Sequence, residues 1–277
     1  MSLQISSFLR YPGGKRRMLV FLKDHLPTSR KIRGFYIEPF VGGGAVFLHI
    51  QPAKALLSDA NPDLIDIYRG IRHAPKQVWE IYCEFGCTKQ DYKHVRDHVA
   101  GETIVQRAAR MLYLNRTCFK GMWRHNRQGD FNVGYGGQAR RWVITEEDLL
   151  FTCRLLRKAK IRCSDFEEVI DGAADGDYLF LDPPYRPGLQ EHLNDHYIWQ
   201  QFRYEDHQRL ALALQRAKRR GAMWSMTISS HPDITGLFRG SYILNIPRGT
   251  GKLPGITTSD CGEIFVSSYK TEGSKRL

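Results

Sequence analysis

The stretch Gly34-Phe35-Tyr36-Ile37-Glu38-Pro39-Phe40-Val41-Gly42-Gly43-Gly44-Ala45, with Ala53–Asp59 behind it, decides how this chain is organised. An aromatic and branched run ends in an acid and a proline, then reaches three glycines, which let a backbone turn sharply and approach a ligand. A helix is predicted from Ala45, and residues 53–58 read as a second strand ending at Asp59. Strand, glycine turn, helix, strand and acid together make a βαβ unit. In Rossmann-like sheets an acid at that second strand end holds ribose hydroxyls. The glycine spacing is not G-x-G-x-x-G and no Lys-Ser/Thr pair follows, so a pyrophosphate is not implied.

Working outward, Asp177–Leu181 reads as another buried strand, and it runs into Asp182-Pro183-Pro184-Tyr185. Two prolines cannot continue a ladder and lock a rigid turn. A carboxylate, a fixed carbonyl and an aromatic ring at the carboxyl edge of a sheet suit a planar heterocycle with an exocyclic amino group. Asp182 and the Pro183 carbonyl would accept the amino hydrogens while Tyr185 stacks on the ring. Toward the N-terminus, Tyr11 and Lys15 lie in Phe8-Leu9-Arg10-Tyr11-Pro12-Gly13-Gly14-Lys15, where they would flank a carboxylate and a sulfonium, the ring face favouring a cation. A nucleoside ligand without phosphates fits these parts, S-adenosylmethionine being the common one.

The 277 residues suit one large domain or a domain with an insertion. Lys and Arg number 41 against 29 Asp and Glu, a net charge of +12, which favours a polyanionic partner, nucleic acid first. No apolar stretch approaches a membrane span and the first residues do not read as a signal peptide, so a cytoplasmic protein with reduced thiols and no membrane partner is expected. Cys83, Cys87, His94 and His98 have a superficial zinc-like spacing, but the central gap is short and the segment reads as helix with its thiols facing a core, so no metal is assigned. Further strands are predicted at residues 160–164, 222–228, 242–246 and 263–269, helices at residues 15–26 and 205–220, and a frayed end after residue 271.

Between about residues 61 and 144 the composition becomes aromatic and basic. From Arg107 to Arg141 there are eight Lys and Arg (107, 110, 116, 120, 124, 127, 140 and 141) against the single acid Asp130, interleaved with Tyr113, Phe119, Trp123, Phe131 and Tyr135. That density suits phosphate clamping with a few base contacts.

Taken in order, aromatic-x-Gly-Gly-Lys15, Glu38-Pro39-Phe40-x-Gly42-Gly43-Gly44, Asp59, the basic insertion and Asp182-Pro183-Pro184-Tyr185 resemble the Dam family of DNA adenine-N6 methyltransferases over roughly residues 8–270. The stretch from Leu114 to Val133 looks like that family's target-recognition hairpin, about residues 115–137. The resemblance implies an α/β fold: a Rossmann-like, mixed and mostly parallel seven-stranded sheet with helices on both faces, plus an inserted helical DNA-recognition domain. Residues 1–60 and 145–277 would form the catalytic domain and residues 61–144 the insertion.

The same resemblance assigns Asp182, Pro183 and Tyr185 to catalysis. It places S-adenosylmethionine against Tyr11, Lys15, Glu38, Phe40, Gly42, Gly44, Asp59 and Asp182. Double-stranded DNA would meet Asn115, Arg116, Lys120, Arg124, Asn126 and Arg127, with Arg124 bidentate to a guanine edge. The expected target is an adenine flipped out of GATC or a site sharing its GA core. Tyr11 replaces a frequent Trp, and Ser229-Ser230-His231 stands where relatives show Asn-His or Ser-Asn. Residues 186–204, with His196, Tyr197 and Phe202, are expected to act as a flap or to occupy the void left in the helix after flipping. A monomer or weak dimer is expected. N4-cytosine methylation, RNA or protein-glutamine methylation and a catalytically inactive DNA-binding protein remain as alternatives; Asp rather than Ser at position 182 argues for adenine.

Overall fold

The computed structural model describes residues 8–11, 13–126, 128–184, 202–247 and 262–277; Tyr185, Arg127 and the expected flap up to residue 201 lie outside them. In chain order the elements are α1 (Leu19–Leu22), β1 (Tyr36–Glu38), α2 (Ala45–Ile50), β2 (Ala55–Asp59), α3 (Pro62–His73), α4 (Pro75–Glu84), α5 (Lys89–His98) and α6 (Ile104–Thr117). They continue with α7 (Glu146–Leu156), β3 (Ala159–Cys163), α8 (Phe166–Asp171), β4 (Tyr178–Leu181), α9 (Tyr204–Arg219), β5 (Met223–Ser229), α10 (Pro232–Thr235), β6 (Tyr242–Asn245), β7 (Glu263–Ser267) and β8 (Lys275–Arg276).

The strands form one sheet in the order β3-β2-β1-β4-β5-β7-β6-β8. Pairing is parallel from β3 to β5 and antiparallel from β5 through β7 and β6 to β8. The chain moves outward from β1 to β2 and β3, then returns to place β4 on the other side of β1. The crevice between β1 and β4 is therefore the topological switch point, where open α/β sheets bind ligands. Asp177 anchors this junction: its carboxylate accepts from Phe35 N at 2.6 Å and Ala174 N at 2.9 Å. A Cβ at Gly34 would lie 2.1 Å from the same carboxylate, so only glycine fits.

Alternation along the strands sorts the core into two layers. Tyr36, Tyr178 and Phe180 face a cluster built with α2, α3, α6 and α7, while Ile37, Leu179 and Leu181 face α8 and α9. Helices thus cover both faces, as expected. Buried residues of α3 to α6 continue the first cluster without a break, so this segment rests directly on the sheet. Thr88, Thr103 and Thr145 open α5, α6 and α7 with reciprocal capping boxes, and the Asn61 side chain caps α3.

Three expectations are corrected. Among the described residues the sheet has eight strands rather than seven, because Lys275–Arg276 pair with β6 where a frayed end was expected. The helix read over residues 15–26 shrinks to the single turn α1, since Lys15 turns inward to the β4 end. Cys83 and Cys87 are exposed, not core-facing, because Val78 and Tyr82 are the residues of α4 that point inward.

Candidate active site

β4 delivers Asp182 to the switch point, and Pro183, buried, ends the ladder. Lys15 Nζ lies 2.8 Å from Asp182 Oδ1 and 3.6 Å from Glu263 Oε1 of β7, and also donates to the Gly13 carbonyl at 2.9 Å. Thr227, buried on β5, donates its hydroxyl to the same Asp182 Oδ1 at 2.9 Å. Burial pushes the Asp182 carboxyl above the usual carboxylate range, and the Lys15 ammonium opposes that rise. The lysine is 5% exposed, so its charge acts in a medium that screens poorly.

One strand away, the glycine turn leaves β1 with φ of +45° at Gly42 and +62° at Gly44, a region that only glycine enters cheaply. A Cβ at Gly42 would sit 3.0 Å from Tyr11 Cε1, so the Tyr11 ring lies directly on the turn. Tyr68 of α3 donates to the Gly42 carbonyl at 2.9 Å, and a Cβ at Gly44 would meet its hydroxyl at 2.5 Å. Asp59, at the end of β2, accepts from Gly42 N and Asn61 N, both at 3.1 Å, and burial raises its carboxyl to about 6. Glu38, at the end of β1, is 2% exposed. Its Oε1 accepts from Phe47 N at 2.9 Å and from the Tyr36 hydroxyl. Burial lifts Glu38 to about 8, so at neutral pH it mostly keeps its proton. Phe40 stacks on Phe166 at 5.3 Å and meets Phe202 edge-on at 5.7 Å, an apolar wall beside the turn. Glycine turn, strand-end acid, aromatic wall and a cation held by carboxylates form a donor set that fits a nucleoside carrying both a carboxylate and a positive centre.

The hairpin departs from the sequence-based expectation. Its arms meet through the pairs Cys118–Tyr135 and His125–Phe131. Asn115 and Arg116 do not reach the surface, being 1% and 3% exposed. Asn115 clamps the Arg10 backbone, accepting from its N at 2.8 Å and donating to its O at 2.7 Å. Arg116 donates to the Arg140 carbonyl, and burial lowers its guanidinium to about 10. Both lie on the last turn of α6, which is buried under the hairpin. Lys120 is exposed, at φ +53°, with its ammonium 5.2 Å from the Phe119 ring centroid. Arg124 is half-buried and bound across the hairpin to the Asn132 side chain at 2.8 Å and its carbonyl at 3.0 Å. Asn126 is exposed and closes the hairpin tip, accepting from Gln128 N and Asp130 N.

Of the other cations, Arg107 pairs with Asp66 at 2.7 Å and Arg110 donates to the carbonyls of Val95 and Arg96. Arg141, fully buried, donates to the carbonyls of Tyr82 and Gly86 at the end of α4. Among the described residues, five of the cations counted in the sequence, Arg107, Arg110, Arg116, Arg124 and Arg141, are therefore bonded to other parts of the protein. Among the described residues no group of three or more His, Cys, Asp or Glu is placed to hold a metal ion, and no helix is long and apolar enough to cross a membrane.

Sequence reasoning missed Arg10, Thr227, Glu263, Tyr68 and Asn61. A signal existed for Thr227: with Ser225 and Ser229 it forms a polar row at every second position of the strand, on one face.

Comparison with known proteins agrees with this geometry. Residues 11–248 match the D12 class N6 adenine-specific DNA methyltransferase family. The chain is 35% identical over 240 residues to the DNA N-6-adenine-methyltransferase of Escherichia phage P1, covering 85% of this chain but only 31% of that longer protein. It is 31% identical to a type II methyltransferase of Lactococcus lactis subsp. cremoris, covering 96% of each. It is also 31% identical to the DNA adenine methylase of Vibrio cholerae, covering 86% of each. The match takes in the glycine turn, the hairpin and the Asp182 turn together, and the chain belongs to the D12 class of N6 adenine-specific DNA methyltransferases.

Proposed function

We propose that this protein methylates N6 of an adenine flipped out of duplex DNA, within GATC or a related GA-containing site, using S-adenosylmethionine. The observation that carries this reading is Asp182 at the carboxyl end of β4, its Oδ1 held by Lys15 and Thr227, next to the Gly42–Asp59 turn. Tyr11, Lys15, Glu38, Phe40, Gly42, Gly44, Asp59 and Asp182 would hold the cofactor, which when bound supplies an electrophilic methyl group on a sulfonium. Asp59 would accept from ribose hydroxyls on the carboxylate that also takes Gly42 N and Asn61 N, and Tyr11 would offer its ring face to the positive centre.

At the base, Asp182 and the Pro183 carbonyl accept the two amino hydrogens. They draw N6 toward a lone-pair-bearing state and stabilise the positive charge that develops on it. Positioning supplies much of the remaining rate, and no strong base is needed, because the amino proton becomes acidic only once N6 is alkylated. Tyr185 is the proposed stacking partner of the flipped base. On the DNA side, residues 61–144 act as the recognition unit between the catalytic segments 1–60 and 145–277. Lys120, Arg124, Asn126 and Arg127 are the proposed duplex contacts, with Asn115 and Arg116 supporting them.

The test is methyl incorporation from labelled S-adenosylmethionine into unmethylated DNA, with mapping of the modified bases and Asp182→Ala as control. N6-methyladenine at one short motif, lost in the variant, is expected. N4-methylcytosine instead would move the target to cytosine, and tight DNA binding without incorporation on any sequence would leave an inactive DNA-binding protein.

A further inference from the structure

His125, on the first arm of the hairpin, places Nε2 2.7 Å from Oδ2 of Asp63, with its side chain 5% exposed. Asp63 belongs to the first turn of α3, and a continuous line of bonds runs from it to the glycine turn. Asp63 N donates to Asn61 Oδ1 at 3.0 Å, Asn61 N donates to Asp59 Oδ1 at 3.1 Å, and Gly42 N donates to Asp59 Oδ2 at 3.1 Å. A second route closes the circuit. His125 meets Phe131 edge-on at 5.8 Å, Phe131 meets Trp123 edge-on at 6.4 Å, and Trp123 lies 6.2 Å from Tyr11, whose ring covers Gly42. Both routes from the hairpin arrive at the same glycine.

We propose that the His125–Asp63 contact couples the glycine-turn site to the hairpin, so that cofactor binding and duplex binding strengthen each other. This rests on the methyltransferase reading above. A ligand hydroxyl that donates to Asp59 competes with Gly42 N and Asn61 N for the same two oxygens. The resulting adjustment of the 59–63 segment passes through Asp63 to the imidazole, and so to the arm carrying Arg124 and Asn126. His125 is a positioning residue in this scheme. By linkage the effect is reciprocal, the duplex tightening the cofactor by the same factor.

The test measures the duplex Kd with and without saturating S-adenosylhomocysteine, and the S-adenosylhomocysteine Kd with and without duplex. The wild type is expected to show at least about fivefold tightening, equal in both directions. In His125→Leu and Asp63→Ala the factor is expected to fall below about twofold while the binary cofactor Kd stays within about twofold of wild type. His125→Gln, whose amide nitrogen stands in for Nε2, is expected to restore the coupling. A variant that keeps the full factor, or a wild type that binds both ligands without coupling, overturns the proposal alone. A wild type that binds neither ligand sinks the methyltransferase reading and the proposal with it.

Discussion

Thr227 Oγ1 donates to Asp182 Oδ1 at 2.9 Å across the β4–β5 pair, on the oxygen that Lys15 also holds. The hydroxyl fixes the rotation of the carboxylate about its stem, and with it the direction in which Asp182 meets an amino group. Thr227→Val keeps the shape and removes this one bond. A hydrogen bond to a charged group contributes about 1.5–3 kcal/mol, so kcat is expected to fall by about tenfold or more while KM for DNA changes little. Thr227→Ser should retain most of the rate. Steady-state kinetics of the three proteins checks this, and an unchanged kcat in the valine variant would refute it.

Lys15 sits between Asp182 and Glu263, at 2.8 and 3.6 Å. Lys15→Met leaves two acids facing each other without a cation, and burial already raises the Asp182 carboxyl. The carboxylate form would then require a higher pH. The acid limb of the kcat/KM profile for residual activity is expected to move upward. An acid limb in the same place would exclude Asp182 as the group that sets it.

Glu38 titrates near 8 in the folded protein because it is buried. Its folded value lies above its unfolded one, so the folded state holds the extra proton between them. The stability it contributes is fully present below about pH 4 and is lost as pH rises toward 8. Glu38→Gln preserves an acceptor for Phe47 N and Tyr36 and abolishes the titration. Relative to wild type, its Tm is expected to be higher at pH 8 than at pH 5 by about 3 °C or more, read by thermal melts at both values.

Lys120 and Arg141 are both basic residues of the stretch from Arg107 to Arg141, and the structure gives them different surroundings: Lys120 is exposed and Arg141 fully buried. Lys120→Ala is expected to leave Tm unchanged and to reduce the salt slope of duplex binding by about one. Arg141→Met strands the buried carbonyls at the end of α4. It is expected to cost about 2–4 kcal/mol of stability with no change in slope. Melting curves and a salt titration of DNA affinity on the two variants decide the matter.

Much of the architecture was legible in local patterns. The strand, glycine turn, helix, strand and acid from Gly34 to Asp59 appear as β1, α2 and β2, and the run before Asp182 appears as β4. These features depend on a period of two, on glycine at positive φ and on proline ending a ladder, all properties of neighbours in sequence. β8 was hidden because a two-residue strand carries no period of its own; it forms because β6 offers an edge.

What the sequence by itself determined is the βαβ order, the strand-end positions of Glu38, Asp59 and Asp182, and the surplus of positive charge. What only the tertiary structure decided is which of those groups meet and which cations stay outside. Thr227 reaches Asp182 across 45 residues, His125 reaches Asp63 across 62, and Asn115 clamps Arg10 across 105. Arg116 and Arg141 belong to the same basic stretch as Lys120, yet burial turns them toward the Arg140 carbonyl and the carbonyls at the end of α4. Contacts of this kind depend on how close packing brings distant segments together and on the cost of leaving a buried polar group unsatisfied, and neither leaves a periodic mark along the chain.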